Sequence, residues 1–339
     1  DLIYKSGDSL VLTNDDDFLR KLQDVNSIFF ETQTNLFTLG FKVKDLYLNF
    51  NVSEKIDFNF GIPKGFFQLI LLGNNAKGNN GNYLFRGEDR PLVFDGLGVN
   101  LSHYREFGIG ASKPVNNELT VGARVKLLYG KANIYTDTDL KWYTGLDYPD
   151  WTIRNDMHIY TSAPFDLGLD LGQEEEEDQG TEEEDDDFDP MEYVLNKDNK
   201  GFGVDLGATY KIHDKITLSA SVIDIGNINW KTNAVDYASN GEFHFEGLDF
   251  GADSLDFGPL LDTLMEEMKF TEKATSYKTP LPTRIYIGGL YDLHNNFKVG
   301  AMFSSRRVQD KFRSGLTLSG NFQAGRYFNL SGAYTIMRN

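Results

Sequence analysis

Gly201–Val222 reads GFGVDLGATYKIHDKITLSASV, and this stretch decides the fold. Phe202, Val204, Leu206, Ala208, Tyr210 and Ile212 alternate with Gly203, Asp205, Gly207, Thr209 and Lys211. After a turn at His213–Lys215, Ile216, Leu218, Ala220 and Val222 alternate with Thr217, Ser219 and Ser221. Successive strand side chains point to opposite faces, so each arm presents one apolar face and one small or polar face.

The same design recurs along the chain. Ile285, Ile287, Gly289, Tyr291 and Leu293 turn at His294–Asn296 into Phe297, Val299, Ala301 and Phe303. Leu316, Leu318, Gly320, Phe322 and Ala324 turn at Gly325-Arg326 into Phe328, Leu330, Gly332, Tyr334 and Ile336. Phe107, Ile109 and Ala111 lead through Lys113–Glu118 into Leu119, Val121, Ala123, Val125, Leu127 and Tyr129. Earlier, Phe37, Leu39, Phe41 and Val43 turn at Lys44-Asp45 into Leu46, Leu48, Phe50 and Val52. The turns use the Asn, Asp, Gly and Pro that tight hairpins require. The pattern gives at least ten strands, mostly of 8 to 13 residues.

Alternation of this kind fits a soluble β-sandwich binding module or a membrane barrel. Two features favour the barrel. Many strands reach the roughly 9–11 residues that cross a bilayer at a tilt, whereas globular strands average about 5–6. Connections also alternate in length: tight turns on one side, and on the other segments of about 70 residues (131–200) and about 55 residues (228–282), besides a short one at 304–311. Short periplasmic turns facing long extracellular loops mark an outer-membrane barrel. Tyr129, Tyr210, Tyr291 and Tyr327 at strand ends fit an interfacial girdle.

Composition agrees. The 339 residues carry 33 bases and 51 acids, a net charge of -18, with 46 aromatics and no cysteine. Cysteine's absence excludes disulfides, thiolate metal sites and a cysteine nucleophile. The acidic excess argues against nucleic acid as a partner, which needs a basic footprint. The longest stretches without a charge, Gly65–Ala76 and Ser314–Gly325, have 12 residues, too few for a spanning helix of about 20. Glu174–Glu192 holds 13 of the acids and no base; without it 38 acids face 33 bases, a net of -5. The acidic low-complexity segment 173–192 therefore reads as a solvated extracellular loop, with divalent-cation capture as its functional alternative.

Helical signals are few. Asn14–Asp17 cap a short helix over Phe18–Leu22. After Pro63, the apolar run of Phe66, Phe67, Leu69, Ile70, Leu71 and Leu72 reads as a helix that plugs the barrel mouth or lines a hydrophobic ligand path. Pro259–Phe270 reads as an amphipathic helix inside the long extracellular loop 228–282.

Catalytic constellations do not emerge. His213 and His294 occupy equivalent turn positions; His103, His158 and His244 have no neighbour at metal-ligand spacing. Gly201-Phe202-Gly203 opens a strand, where a phosphate loop would open a helix, and no G-x-S-x-G elbow occurs. The reading is non-enzymatic, with no metal and no cofactor. The faces opposite the apolar stripes are the candidate lumen, carrying Arg124, Lys126, Asp205, Thr209, Lys211, Asn321 and Gln323. They form either an internal network that stiffens the barrel or a selectivity lining.

Thr279-Pro280-Leu281-Pro282-Thr283 running into Arg284–Gly289, with the acidic and amphipathic segment before it, resembles an uncharacterised family of Bacteroidota outer-membrane barrels, a domain of unknown function. So do Gly96–Gly110 and Leu119–Gly130. That family is similar in turn to FadL-like channels and to the PorV-type barrel of type IX secretion. The resemblance runs from about Ser27 to Asn339 and carries no catalytic residues. It implies a single transmembrane antiparallel up-and-down β-barrel of about 14 strands, all-β and FadL-like, located in the bacterial outer membrane. It also implies a chain incomplete at both ends, because Asp1 opens without a signal peptide and Met337-Arg338-Asn339 ends in mid-pattern. Outer-membrane lipid and protein partners in a membrane assembly are the expected contacts. The expected role is structural or accessory in a surface or secretion assembly; the alternatives are a FadL-like channel for hydrophobic small molecules and the soluble module.

Overall fold

A computed structural model describes residues 3–6, 9–12, 16–72, 84–145 (apart from 86 and 88), 150–163, 190–246, 268–308 (apart from 295), 311–326 and 328–338. In chain order the elements are β1 (Ile3–Ser6), β2 (Ser9–Leu12), α1 (Asp16–Lys21), β3 (Val25–Val43), β4 (Leu46–Pro63), α2 (Lys64–Leu72), β5 (Leu92–Val93) and β6 (Gly98–Pro114). Then come β7 (Leu119–Thr144), β8 (Asp150–Ser162), α3 (Pro190–Leu195), β9 (Asn199–Ile212), β10 (Ile216–Trp230), β11 (Ala234–Glu246) and β12 (Thr271–Ala274). The last are β13 (Tyr277–Pro280), β14 (Arg284–His294), β15 (Phe297–Val308), β16 (Lys311–Ala324) and β17 (Phe328–Arg338).

The protein is all-β, built on one antiparallel sheet of 15 strands, with a separate two-stranded β1-β2 ribbon. Ten strands form an up-and-down wall in the order β3-β4-β6-β7-β9-β10-β14-β15-β16-β17. The wall curls, because side chains of β14, β15 and β16 reach β3 and β4 across it: Arg284 bonds Glu31, Arg306 bonds Asp57 and Arg313 bonds Ser27. Among the described residues no pairing joins β3 to β17. A soluble sandwich would pack a second large sheet against the first; this single curled sheet overturns that alternative.

The apolar stripes lie on the outside. Ile109, Phe202, Leu206, Leu218, Ile287, Leu293, Leu318, Leu330 and Tyr334 are all exposed. Charged residues fill the inside. A water-soluble protein buries its stripe, so this inversion is the arrangement of a barrel whose solvent is lipid. The five tight turns, after β3, β6, β9, β14 and β16, share one end of the wall.

The opposite end is more strand-rich than expected. β7 runs for 26 residues, roughly 85 Å at about 3.3 Å per residue. Leu119–Gly130 pairs with β9 in the wall; Asn133–Thr144 then pairs with β8. β8 pairs with β11, and β11 with β12, so a second tier of sheet rises from the wall. The 131–200 and 228–282 connections are therefore not simply loops: the first carries the upper half of β7, β8 and α3, and the second carries β11, β12 and β13. These strands have an apolar face, with Trp151, Ile153 and Ile159 of β8 buried and Arg154 and Asp156 exposed between them, but Thr136, Thr138, Asn155 and Ser239 interrupt it and weaken the period. Residues 173–189 of the acidic segment and 259–267 of the amphipathic one lie outside the described residues. Met268 and Phe270 are buried against Ile159 of β8. The two short N-terminal helices appear as α1 and α2.

Candidate functional site

β4 places Asn49, Asn51, Ser53, Lys55, Asp57 and Asn59 on the inner face, opposite in parity to Leu48, Phe50 and Val52. Register carries this face across the wall: Asn51 lies opposite Gly108 and Gly108 opposite Lys126, while Ser53 lies opposite Glu106. The result is a buried charge cluster. Lys126 Nζ is 2.6 Å from Asp205 Oδ1, 2.6 Å from Asp224 Oδ1 and 3.7 Å from Glu106 Oε2. Lys55 Nζ is 2.9 Å from Glu106 Oε2 and 3.4 Å from Asp224 Oδ1. Exposure is 7% for Lys55, 2% for Lys126, and 1% each for Glu106 and Asp224, so water reaches this layer hardly at all.

Asp224 owes its position to a β-bulge. Between Val222 and Ile225, β10 shifts register against β9, so two residues face Asp205 alone. The extra residue lets Asp224 turn inward, at the cost of a left-handed backbone with φ of 59°, a region Asp tolerates better than most side chains. Its N–H donates to Asp205 Oδ1 at 2.8 Å, and its carbonyl accepts from Thr283 Oγ1 at 3.0 Å.

A second charged layer adjoins the first. Arg284 and Arg306 both pair with Glu31, and Arg306 also with Asp57. The Arg306 guanidinium sits 5.5 Å from the Phe29 ring centre. Arg313 Nη2 donates to Ser27 Oγ at 2.8 Å and to the Val25 carbonyl at 3.1 Å. Buried charges are tolerated only when paired and hydrogen-bonded. Here Lys55, Lys126, Arg284 and Arg306 all face carboxylates and Arg313 is held by a hydroxyl and a carbonyl, so the arrangement can seal and brace a lumen. Among the described residues, no group of three or more His, Cys, Asp or Glu is placed to hold a metal ion.

The residues expected to line the lumen separate into two groups. Lys126 and Asp205 meet in the buried cluster, and Arg124, opposite Asp205, donates to Asn49 Oδ1 at 3.1 Å. Lys211, Asn321 and Gln323 lie nearer the turn end: Lys211 and Gln323 are exposed, while Asn321 donates to Asn329 Oδ1 and Ser331 Oγ at 2.8 and 2.7 Å. Sequence reading missed Lys55, Asp57, Glu106, Arg284 and Arg306, although strand parity places each on the inner face, and Glu31, which a register shift between Asn35 and Phe37 turns inward. Asp224 carries no such signal, because its bulge breaks the parity.

At the far end, Phe66, Leu69 and Leu72 of α2 pack on a cluster of Phe85, Leu92, Phe94, Trp142, Trp151 and Ile153. Phe67 meets Phe18 of α1 edge-on at 5.9 Å. The apolar faces of this segment are thus engaged in packing. Nearby, the Leu140 N–H donates to Asp95 Oδ1 at 3.2 Å; burial, and then the Asp139 carboxylate, push the Asp95 carboxyl above its ordinary value. On the outer face of β4 and β6, Glu54 bonds Arg105 and lies 3.3 Å from His103, which bonds Tyr193 of α3. Lys131 Nζ donates to the carbonyls of Val194 and Asn196 at 2.8 and 2.6 Å, closing the C-terminal end of α3.

No curated protein matches this sequence. Among solved structures, the toluene transporter TodX of Pseudomonas putida overlays with a TM-score of 0.42 at 10% identity, covering 93% of this chain and 72% of the transporter. The open form of the ferric-catecholate import receptor Fiu of E. coli K12 gives a TM-score of 0.27 at 10% identity, covering 88% of this chain and 50% of the receptor. One family model matches residues 1–339, and by that match the chain belongs to DUF5723, a family of unknown function.

Proposed function

We propose that this protein is a non-enzymatic outer-membrane β-barrel with a sealed lumen, serving as a structural or accessory subunit of a cell-surface assembly. The observation that carries the reading is the Lys55–Glu106–Lys126–Asp224 cluster, buried to between 93% and 99% across the barrel interior. A conducting pore keeps its charged lining hydrated; this layer is spent on internal pairing. The second tier built on β7, β8, β11 and β12 supports the same reading, since it supplies a large platform beyond the wall. The packing of Phe66, Leu69 and Leu72 into an apolar cluster favours a bracing role for α2 over a hydrophobic ligand path. Secretion complexes are one class of assembly that such a platform would suit.

Crosslinking in native membranes, followed by purification in mild detergent, tests the role. The expected result is a defined protein partner in near-stoichiometric amount. A barrel that stays monomeric and captures nothing would overturn the accessory-subunit reading, and release from membranes by high salt alone would overturn the membrane placement.

The outer band gives a separate expectation. From Phe202 to Tyr210, nine residues of β9 span about 23 Å of membrane height when tilted by about 40°. Leu206→Arg puts a cation in mid-band and is expected to cost about 2–4 kcal/mol. Thr209→Arg, on the inner face towards the turn end, is expected to be tolerated. Heat-modifiability on gels, comparing the folded fraction of both variants, checks the contrast.

A further inference from the structure

Next to the charged layers lies a half-open space of about 90 Å³, lined by Phe29, Asn59, Asn100, Tyr104, Asn133 and Leu281 among others. A water needs roughly 10–15 Å³ by such a measure, so the space holds about six to nine waters, and its open side lets a ring-sized molecule extend beyond it. Its polar lining is incompletely used. Asn59 is 9% exposed, and neither its Oδ1 nor its Nδ2 has a hydrogen-bond partner among the described residues. Asn100, directly opposite Asn59 in the β4–β6 register, also has both amide atoms unpartnered. Asn133 is 1% exposed; its Nδ2 donates to Leu101 O and Ser102 Oγ at 2.7 and 2.8 Å, which leaves its Oδ1 unpartnered. Buried amides without partners are costly, and several converging on one space mark a place where something completes them.

We infer that this cavity is a binding site for a neutral polyhydroxylated molecule the size of one sugar ring. Each hydroxyl both donates and accepts, matching two carboxamides that each present a donor beside an acceptor, with a third acceptor at Asn133. The walls of Phe29, Tyr104 and Tyr135 offer apolar faces to the C–H side of a ring. The charges in the lining argue against an ionic ligand, because Arg306 and Asp57 already pair with each other. A purely hydrocarbon ligand would leave the amides unsatisfied. The site does not depend on the scaffolding reading: a sealed barrel can hold one bound molecule, and a conducting one can too.

Equilibrium dialysis of the purified full chain in detergent, with labelled glucose, galactose and N-acetylglucosamine, tests the inference. Toluene and decanoate serve as apolar probes and glutamate as a charged one. The expected result is saturable binding of at least one monosaccharide. Asn59→Leu and Asn100→Leu should each weaken it about tenfold or more, while the melting temperature holds or rises because an unsatisfied buried amide is removed. Where a leucine variant fails to fold, Asn59→Asp, which keeps the shape and removes the donor, should show the same loss. Absence of saturation with every sugar, preferential uptake of toluene or decanoate, or sugar binding indifferent to both asparagines would overturn the inference. Partner capture and conductance are read separately, so failure here leaves the scaffold reading intact, and the reverse.

Discussion

Replacing Asp224 by alanine is expected to lower the stability of the barrel by about 3–5 kcal/mol, the usual cost of removing one partner from a buried charge cluster. Lys126 and Lys55 both reach its Oδ1, at 2.6 and 3.4 Å, and neither can turn to water. Asp205 would also lose part of its fixing, since the bulge brings the Asp224 N–H to its carboxylate. Asp224→Asn separates charge from backbone: asparagine accepts the left-handed conformation nearly as well, so its loss reports the missing charge. Alanine adds roughly 1 kcal/mol for the strained φ. Replacing Asp224 and Lys126 together by apolar residues should not recover the loss, because it also takes from Asp205 the cation 2.6 Å away. Urea unfolding in detergent, followed by heat-modifiability, measures all four proteins. An alanine variant as stable as the parent would show that the cluster is not desolvated.

Trp230→Ala is expected to be comparably damaging. Trp230 is fully buried and packs with Tyr104, Leu128, Ile228 and Leu281, where the wall passes into the upper tier. Its Nε1–H donates to Thr279 Oγ1 at 2.7 Å, fastening β13 to β10. The ring lies directly on the backbone of Gly130, where even a methyl group would overlap it. Removing an indole from such a site costs about 3–5 kcal/mol through lost burial and the cavity left behind. Gly130→Val attacks the same contact from the other side and should also destabilise. Trp230→Phe should fall between, keeping part of the ring volume and losing the hydrogen bond. Thermal unfolding by near-UV circular dichroism orders the variants; an alanine substitution without effect would mean that β13 is not held through this contact.

What could be read in the sequence, and what could not, follows from the solvent on each face of a strand. Where lipid is on one side and the lumen on the other, period-2 alternation is strong, and the ten wall strands emerged from it. In the upper tier the apolar face is broken by buried polar residues such as Thr136, Thr138, Asn155 and Ser239, so the alternation of β8 and β11 is faint against their polar composition. The lumen was half legible. Parity marks Lys126 and Asp205 as inner-face residues, and it marks Lys55 and Asp57 on β4 and Glu106 on β6 equally. Asp224 could not have followed, because a bulge inverts its direction and bulges leave no fixed residue signature. Pairings such as Arg306 with Asp57, separated by 249 residues, depend on how tightly the sheet curls, which strand alternation leaves undetermined.

Single-channel recording in planar bilayers tests the sealed lumen most directly. The purified full chain is expected to give no stable conductance steps, whereas a variant with Lys55, Lys126 and Asp224 all replaced by alanine, if it still inserts, is expected to conduct. Steady ohmic steps from the unaltered protein, unchanged by those substitutions, would contradict the claim that this charge cluster closes the barrel.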